Sequence, residues 1–175
     1  MNKHTISLSL SDEGISHALK ELEQYSLALK LKCEELQKRI AAEIGAMAQN
    51  GFNGAIVDDL LAKSGGARQA AVSVSVDDRG DAIVVIAHGE DAVWVEFGAG
   101  VYHNGTAGQS PHPSGSELGM TIGGYGKGHG KQKTWGYYVD GSLKLTHGTP
   151  ASMPMCNAMR MVCDDIARIA AEVFS

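Results

Sequence analysis

Polar and apolar positions alternate over the first short stretch, Thr5 to Leu10, where Ser7 and Ser9 separate Ile6, Leu8 and Leu10. A period of two belongs to a half-buried strand, so a strand is expected there, ending at Ser11. The period then changes. From Ile15 the residues Leu19, Leu22, Leu29, Cys33, Leu36, Ile40 and Met47 recur at spacings of three, four or their sum, and Ser11 and Asp12 are suitable caps. This predicts one long helix of about 35 residues, roughly 50 Å, with a break near Gly45 as the alternative. Such a length exceeds what a small sheet needs as cover, so part of the helix is expected to project or to pack on a neighbour.

Asn50 to Gly54 is a turn cluster, Val57 to Lys63 reads as a short helical piece, and Ser64 to Gly66 is a second break. Val72, Val74 and Val76 then alternate with serines, the turn DDRGD follows, and Ala82 to Ala87 is apolar and β-branched. Together these predict a hairpin that buries the three valines. Glu90 to Gly100 is a short apolar segment ending in glycines. Between Gly98 and Lys133 lie half of the chain's 22 glycines, two prolines and few aliphatic residues, so this stretch reads as a long loop insertion that cannot bury itself. Thr134 to Val139 suits a strand, with Leu143 to Leu145 pairing across an Asp140-Gly141 turn. Met155, Met159, Val162, Ile166, Ile169 and Val173 form a last helical face, with Pro154 in its first turn and Ser152 available as a cap. The expected fold class is α+β: a long N-terminal helix and a C-terminal helix packed on a small, mainly antiparallel sheet. Residues 1–175 form one domain, with 98–133 as a glycine-rich loop insertion.

Charge and composition narrow the function. A formal charge of −5 argues against a surface that grips nucleic acid by neutralising many phosphates. Cys33, Cys156 and Cys163 contain no CxxC pair, so reduced thiols are the simpler account than a disulfide or zinc framework. The first residues lack a leader-like apolar run and no window is long enough to span a bilayer, so neither secretion nor membrane insertion is expected.

The glycine loop fails both nucleotide-binding patterns. Gly126-Lys127 and Gly130-Lys131 lack the upstream glycine and the following Ser or Thr of a P-loop, and His129 stands where GxGxxG needs its third glycine. His103, His112, His129 and His147 show no metal-ligand spacing and read as solvated loop residues. Cys156 with His147 is the one nucleophile–base pairing close in sequence, and Cys156 reads as a packed apolar residue. Glu96 interrupts an apolar run and reads as a strand-end acid that bonds nearby backbone or a basic partner. No catalytic residue, cofactor or metal ligand is assigned. Lys127, Lys131 and Lys133 make the loop locally basic; with Tyr125 they form either a solvated loop or a candidate assembly surface that would dock on an acidic partner or line a DNA passage without specific binding.

Two segments carry a resemblance. Val95, Glu96, Phe97 and Gly98 match a YxEFGT-like motif, and Gly148, Thr149, Ala151 and Pro154 match a GTxAxPF-like motif with one extra residue of spacing. The chain thereby resembles the lambdoid (HK-type) phage gene-ten-product tail-component, or tail-completion, family. Ala99 stands where Thr is common, Met155 replaces Phe, and the glycine insertion is long. The resemblance implies a non-enzymatic virion protein of the tail or neck, made in the bacterial host cytoplasm. It would form a homo-oligomeric ring and contact tail-tube or head-completion proteins. Trp94, Phe97, Met155 and Met159 are then candidate core or interface anchors, Glu96 fixes the strand end, and the loop is expected to order on assembly. The alternatives are a cellular protein-interaction module and a small hydrolase using Cys156 or Glu96.

Overall fold

The computed structural model describes residues 5–6, 9–62, 66–100, 110–120 and 133–175. Most of the glycine-rich loop, with Tyr125, Lys127 and Lys131, lies outside the described residues, as do Ser7 and Leu8 of the expected first strand. The described flanks of that segment, Thr5, Ile6, Ser9 and Leu10, are not in a strand.

Helix α1 runs from Asp12 to Asn53, 42 residues or roughly 63 Å at 1.5 Å per residue. Ser11 caps it by accepting from Gly14 N at 3.1 Å, and Asp12 and Glu13 place negative charge in the first turn, where the exposed N–H groups favour it. The helix passes through Gly45 unbroken, because that glycine serves packing. A Cβ there would lie 2.8 Å from Val76 Cγ2. The residues that α1 buries are accordingly small, Ala18, Ala41, Gly45 and Ala48, with Phe52 at the end. The large apolar residues Leu19, Leu22 and Leu29 of the predicted stripe are exposed.

The chain next makes β1 (Ile56–Asp59) and β2 (Gly66–Gln69), then β3 (Ser73–Asp78) and β4 (Ile83–His88). Helix α2 (Ala92–Phe97), strands β5 (Trp135–Val139) and β6 (Ser142–Thr146), and helix α3 (Pro154–Phe174) complete the order. The α+β class expected from the sequence is present, although its small antiparallel sheet is divided into three two-stranded ladders, β1 with β2, β3 with β4 and β5 with β6. Val57 to Ala62, the described part of the expected helical piece 57–63, is not helical. Ile56 and Val57 are β-branched, and pairing with Gln69 and Arg68 satisfies a backbone too short to sustain a helical nucleus. The β3–β4 hairpin turns at Gly80 (φ 87°), with Asp78 Oδ1 accepting from Gly80 N, as the DDRGD sequence predicts. Of its three valines, Val72 and Val74 are half-buried while Val76 reaches the rim of the interface and stays exposed. The β5–β6 turn has positive φ at both Asp140 and Gly141, the conformation that Asp-Gly favours in two-residue hairpins.

Helix α3 lies antiparallel against the second half of α1. Pro154 touches Gly51 at one end, Arg168 approaches Glu43 at 3.7 Å, Glu172 pairs with Arg39, and Phe174 lies under Lys32 Nζ at the other end. Its buried face is Ala158, Val162, Ile169 and Val173, whereas Met159 and Ile166, expected in that face, are exposed. The core cluster, Phe52, Ala55, Val57 and Val95, is joined by Val72, Val74, Ala87 and Met155. No helix among the described residues is long and apolar enough to cross a membrane.

Since Val76 and Val85 leave no room at Gly45, Gly45→Val is expected to destabilise the protein by about 2 kcal/mol or more. The exposed neighbour Ala46→Val should cost under about 1 kcal/mol, the difference in helix propensity. Urea denaturation of the two variants checks this; equal losses would mean the hairpin does not press on the helix.

Candidate functional site

Helix α3 begins without a cap of its own. Met153 occupies the N-cap position in the left-handed region (φ 51°) and gives no side-chain hydrogen bond, and Ser152, the expected cap, is exposed. The first N–H groups of a helix still need acceptors. Glu96 supplies them from α2. Its Oε2 accepts from Met155 N at 2.8 Å, and its Oε1 accepts from Cys156 N at 2.9 Å and meets His112 Nε2 at 3.1 Å. Glu96 is therefore a buried helical carboxylate that caps a second helix, and no strand ends there. Its expected partnership with nearby backbone does occur.

His112 is not a solvated loop residue. Its side chain is buried beside Glu96, its ring packs 4.4 Å from Phe97, and Nδ1 accepts from Ser114 N at 3.1 Å. That pattern assigns the proton to Nε2, which donates to Glu96. Both nitrogens are engaged, so His112 has none left to deprotonate the nearby Cys156.

The two motif segments meet at this point. Ala99 and Thr149 exchange backbone hydrogen bonds of 2.8 and 2.9 Å, while Ser152 N donates to Val95 O at 2.8 Å. Gly148, at φ 108°, passes so close that a Cβ would fall 1.9 Å from Ala99 O, which only glycine permits. Gly98 (φ 76°) turns the chain out of α2 into this clasp. Trp94 sits edge-on to Trp135 with centroids 6.3 Å apart, tying α2 to β5, and Pro154 is buried against Gly51. Lys133 lies just before β5, away from the motif pair in sequence.

A cavity of about 600 Å³ opens beside the clasp, lined by Ile44, Phe52, Val93, Phe97, Met155 and Met159 along with Glu96, His112 and Cys156. Its walls are mainly apolar. Glu96 and His112 in it are bonded to each other and to the backbone N–H groups of Met155, Cys156 and Ser114. Met155 faces the core and Met159 is more than half exposed at the rim.

A second polar cluster, absent from the sequence reading, fixes the hairpins. Arg68 on β2 forms a bidentate pair with buried Asp91 at 2.6 and 2.7 Å, and Asp91 also accepts from Ala71 N at 2.8 Å. Asp59, fully buried on β1, accepts from Lys144 Nζ at 3.0 Å and lies 3.6 Å from Arg68 Nε. Burial pushes the Asp59 carboxyl up, but Lys144, the Leu61 N–H and Arg68 together outweigh it and hold the pKa below its ordinary value. Asp91 in turn raises the Arg68 pKa. His147, the sequence neighbour once paired with Cys156, donates its backbone N–H to Asp58 instead, and its ring lies 3.6 Å from the same carboxylate. Among the described residues no three His, Cys, Asp or Glu side chains converge as a metal site.

Compared with family models, curated proteins and solved structures, the chain matches none.

Two outcomes test the site. Glu96→Ala strands two helix N–H groups and His112, and is expected to cost about 3 kcal/mol; Glu96→Gln, which keeps one acceptor but turns an amide toward Met155 N, about half as much. Chemical denaturation followed by circular dichroism measures both, and a loss within error for Glu96→Ala would remove the cap from the argument. Asp59 has a depressed folded pKa, so its stabilisation is complete above the unfolded value and fades as pH falls below about 4 through the folded value. Asp59→Asn should therefore be less stable at neutral pH and lose stability less steeply toward pH 2, measured as urea midpoints across that range.

Proposed function

We propose that this chain is a structural subunit of a long-tailed bacteriophage or prophage virion, a tail-completion or neck component at the head–tail junction. It acts by assembling with copies of itself into a ring and by contacting tail-tube or head-completion proteins. The observation that supports this reading most is the convergence of the two motif segments. Val95 to Gly98 and Gly148 to Pro154, some fifty residues apart in sequence, form one backbone clasp with Glu96 capping the last helix. Their side chains are used to build a rigid joint, which is what a load-bearing subunit needs.

The same geometry speaks against the hydrolase alternative. Glu96 spends both oxygens on helix N–H groups and His112, and His112 spends both nitrogens on Glu96 and Ser114. Neither is poised to move a proton. The exposed apolar residues along α1 and at Met159, Met161 and Ile166 suit neighbouring subunits better than solvent.

Size-exclusion chromatography with light scattering, on the protein alone and mixed with tail-tube and head-completion proteins from the same genome, tests the proposal. A ring-sized species, formed alone or on such a partner, is expected. Failure to associate with any of them, together with an esterase or peptidase activity lost in Cys156→Ala, would replace this reading with the enzyme.

A further inference from the structure

The β3–β4 hairpin has two outer edges, and α1 covers only one of them. On the β3 side the Gln49 side chain donates to Val72 O at 3.1 Å and accepts from Val74 N at 2.7 Å, much as a neighbouring strand would. Val74 therefore turns its backbone N–H away from β4. In an antiparallel ladder the residue opposite such a position also points outward, and the pattern repeats every second residue. Ala87 stands opposite Val74, Val85 opposite Val76 and Ile83 opposite Asp78, so all three direct their N–H and C=O groups out of the far edge of β4. Among the described residues none of these groups meets a hydrogen-bond partner. Ile83 to Ala87 also carries no charge, proline or bulge, the devices that keep an open edge from pairing.

The cavity lies beside this edge. Val85 and Ala87 of β4 line it on one side and Met155 and Met159 of α3 on another, together with Ile44 and Phe97. A strand laid along β4 would turn every second side chain toward these walls. The acceptor thus specifies its occupant: an uncharged extended segment with aliphatic residues at alternate positions.

The chain carries such a segment. Ile6, Leu8 and Leu10 alternate with Ser7 and Ser9 just before α1. Its described residues, Thr5, Ile6, Ser9 and Leu10, have no strand partner, and Leu10 is 91% exposed. This segment cannot reach the β4 of its own chain. It is tied to the start of α1 at Ser11, whereas the hairpin packs on α1 at Gly45, roughly 50 Å further along the axis at 1.5 Å per residue. Thr5 to Leu10 spans only about 20 Å when fully extended. The α1 rod instead holds the segment out where another copy can take it.

We propose that Thr5 to Leu10 of one copy adds as a strand to the free edge of β4 in the next, with Ile6, Leu8 and Leu10 filling the cavity beside Met155 and Met159. Donor and acceptor are different surfaces of one chain, so the contact is head-to-tail and repeats from copy to copy. It gives a ring contact a definite form, yet it needs only copies of this chain and does not rest on the virion reading.

Sedimentation velocity of the full chain is expected to show oligomers beyond the dimer that grow with concentration. Ile6→Asp and Leu10→Asp, which put a charge into the cavity, should each weaken association more than about thirtyfold. Thr5→Asp and Ser9→Asp, on the other face of the added strand, should leave it within about threefold. On the acceptor side, Val85→Pro removes an outward N–H that the hairpin does not use and should weaken association as well. The donor variants, remote from the core, carry the test if Val85→Pro unfolds. Cys156 lines the cavity and gives a covalent check. In a chain with Cys33 and Cys163 replaced by serine, a short bis-maleimide should join Leu8→Cys to Cys156 of the next copy and give a ladder of cross-linked species, which Ser7→Cys should not. A monomer at all concentrations, a series that stops at the dimer, or equal losses from both sets of aspartates would overturn the proposal. Copies that exchange strands but bind no tail or head protein would overturn the virion reading alone; a ring indifferent to Ile6→Asp and Leu10→Asp would overturn strand exchange alone.

Discussion

A buried carboxylate at the start of α3 sets the arrangement of the rest of the molecule. The first turn of that helix is pressed against α1 and the core, away from water, and its own sequence provides no serine, threonine or aspartate in the capping position. Unsatisfied N–H groups there would cost several kcal/mol in sum. Glu96 removes that cost only if α2 ends at one place and orientation, which fixes Gly98 and the clasp between Ala99 and Thr149. The same carboxylate orders His112 and so anchors the described stretch from Ser110 to Met120. One residue thus couples α2, α3 and part of the long insertion.

The three hairpins need similar help. A two-stranded ladder is marginal by itself in water, and each here has a partner outside its own pairing. The β3–β4 ladder packs on the small residues of α1, with Gln49 accepting from Val74 N and donating to Val72 O. The β1–β2 ladder is held by Arg68 to Asp91 at the head of α2, and by Asp59 and Asp58 to Lys144, Thr146 and His147 along β6. Leu60 N also donates to Leu145 O. Burying Asp59 and Asp91 is costly, so losing either basic partner harms more than forming the pair gains. Polar ties of this kind fix geometry more than they add stability, and here they fix which hairpin sits beside which.

Elements with long periods were legible in the sequence. The long first helix, the valine hairpin with its DDRGD turn, the Asp140-Gly141 turn and the last helix all follow from local patterning. Errors fell where a long-range contact decided the outcome. Ile56 to Asp59 became a strand because Gly66 to Gln69 was available to pair with it, and Ala92 to Phe97 became a helix because Glu96 has to reach α3. Which face of α1 turns inward was not legible for a related reason. The hairpin approaches so closely that alanine and glycine occupy the contact, and hydrophobicity does not mark such residues. Arg68, Asp91 and His112 carry no periodic signal at all, since their partners lie at sequence distances that no local pattern encodes.

Helix α1 makes the division of labour explicit. Its second half is built from small residues and is stabilised by what packs on it. Its first half carries local supports for helicity: a serine cap, two acids in the first turn, and the Lys30–Glu34 and His17–Glu21 spacings of one helical turn. Each such device contributes only tenths of a kcal/mol to about one, and a rod of this length needs several of them to persist in water. Large leucines add nothing to that local stability while exposed, and they raise the risk of unspecific association. Their exposure, beside a buried Ala18 on the same half of the helix, separates what keeps this rod helical from what packs on it.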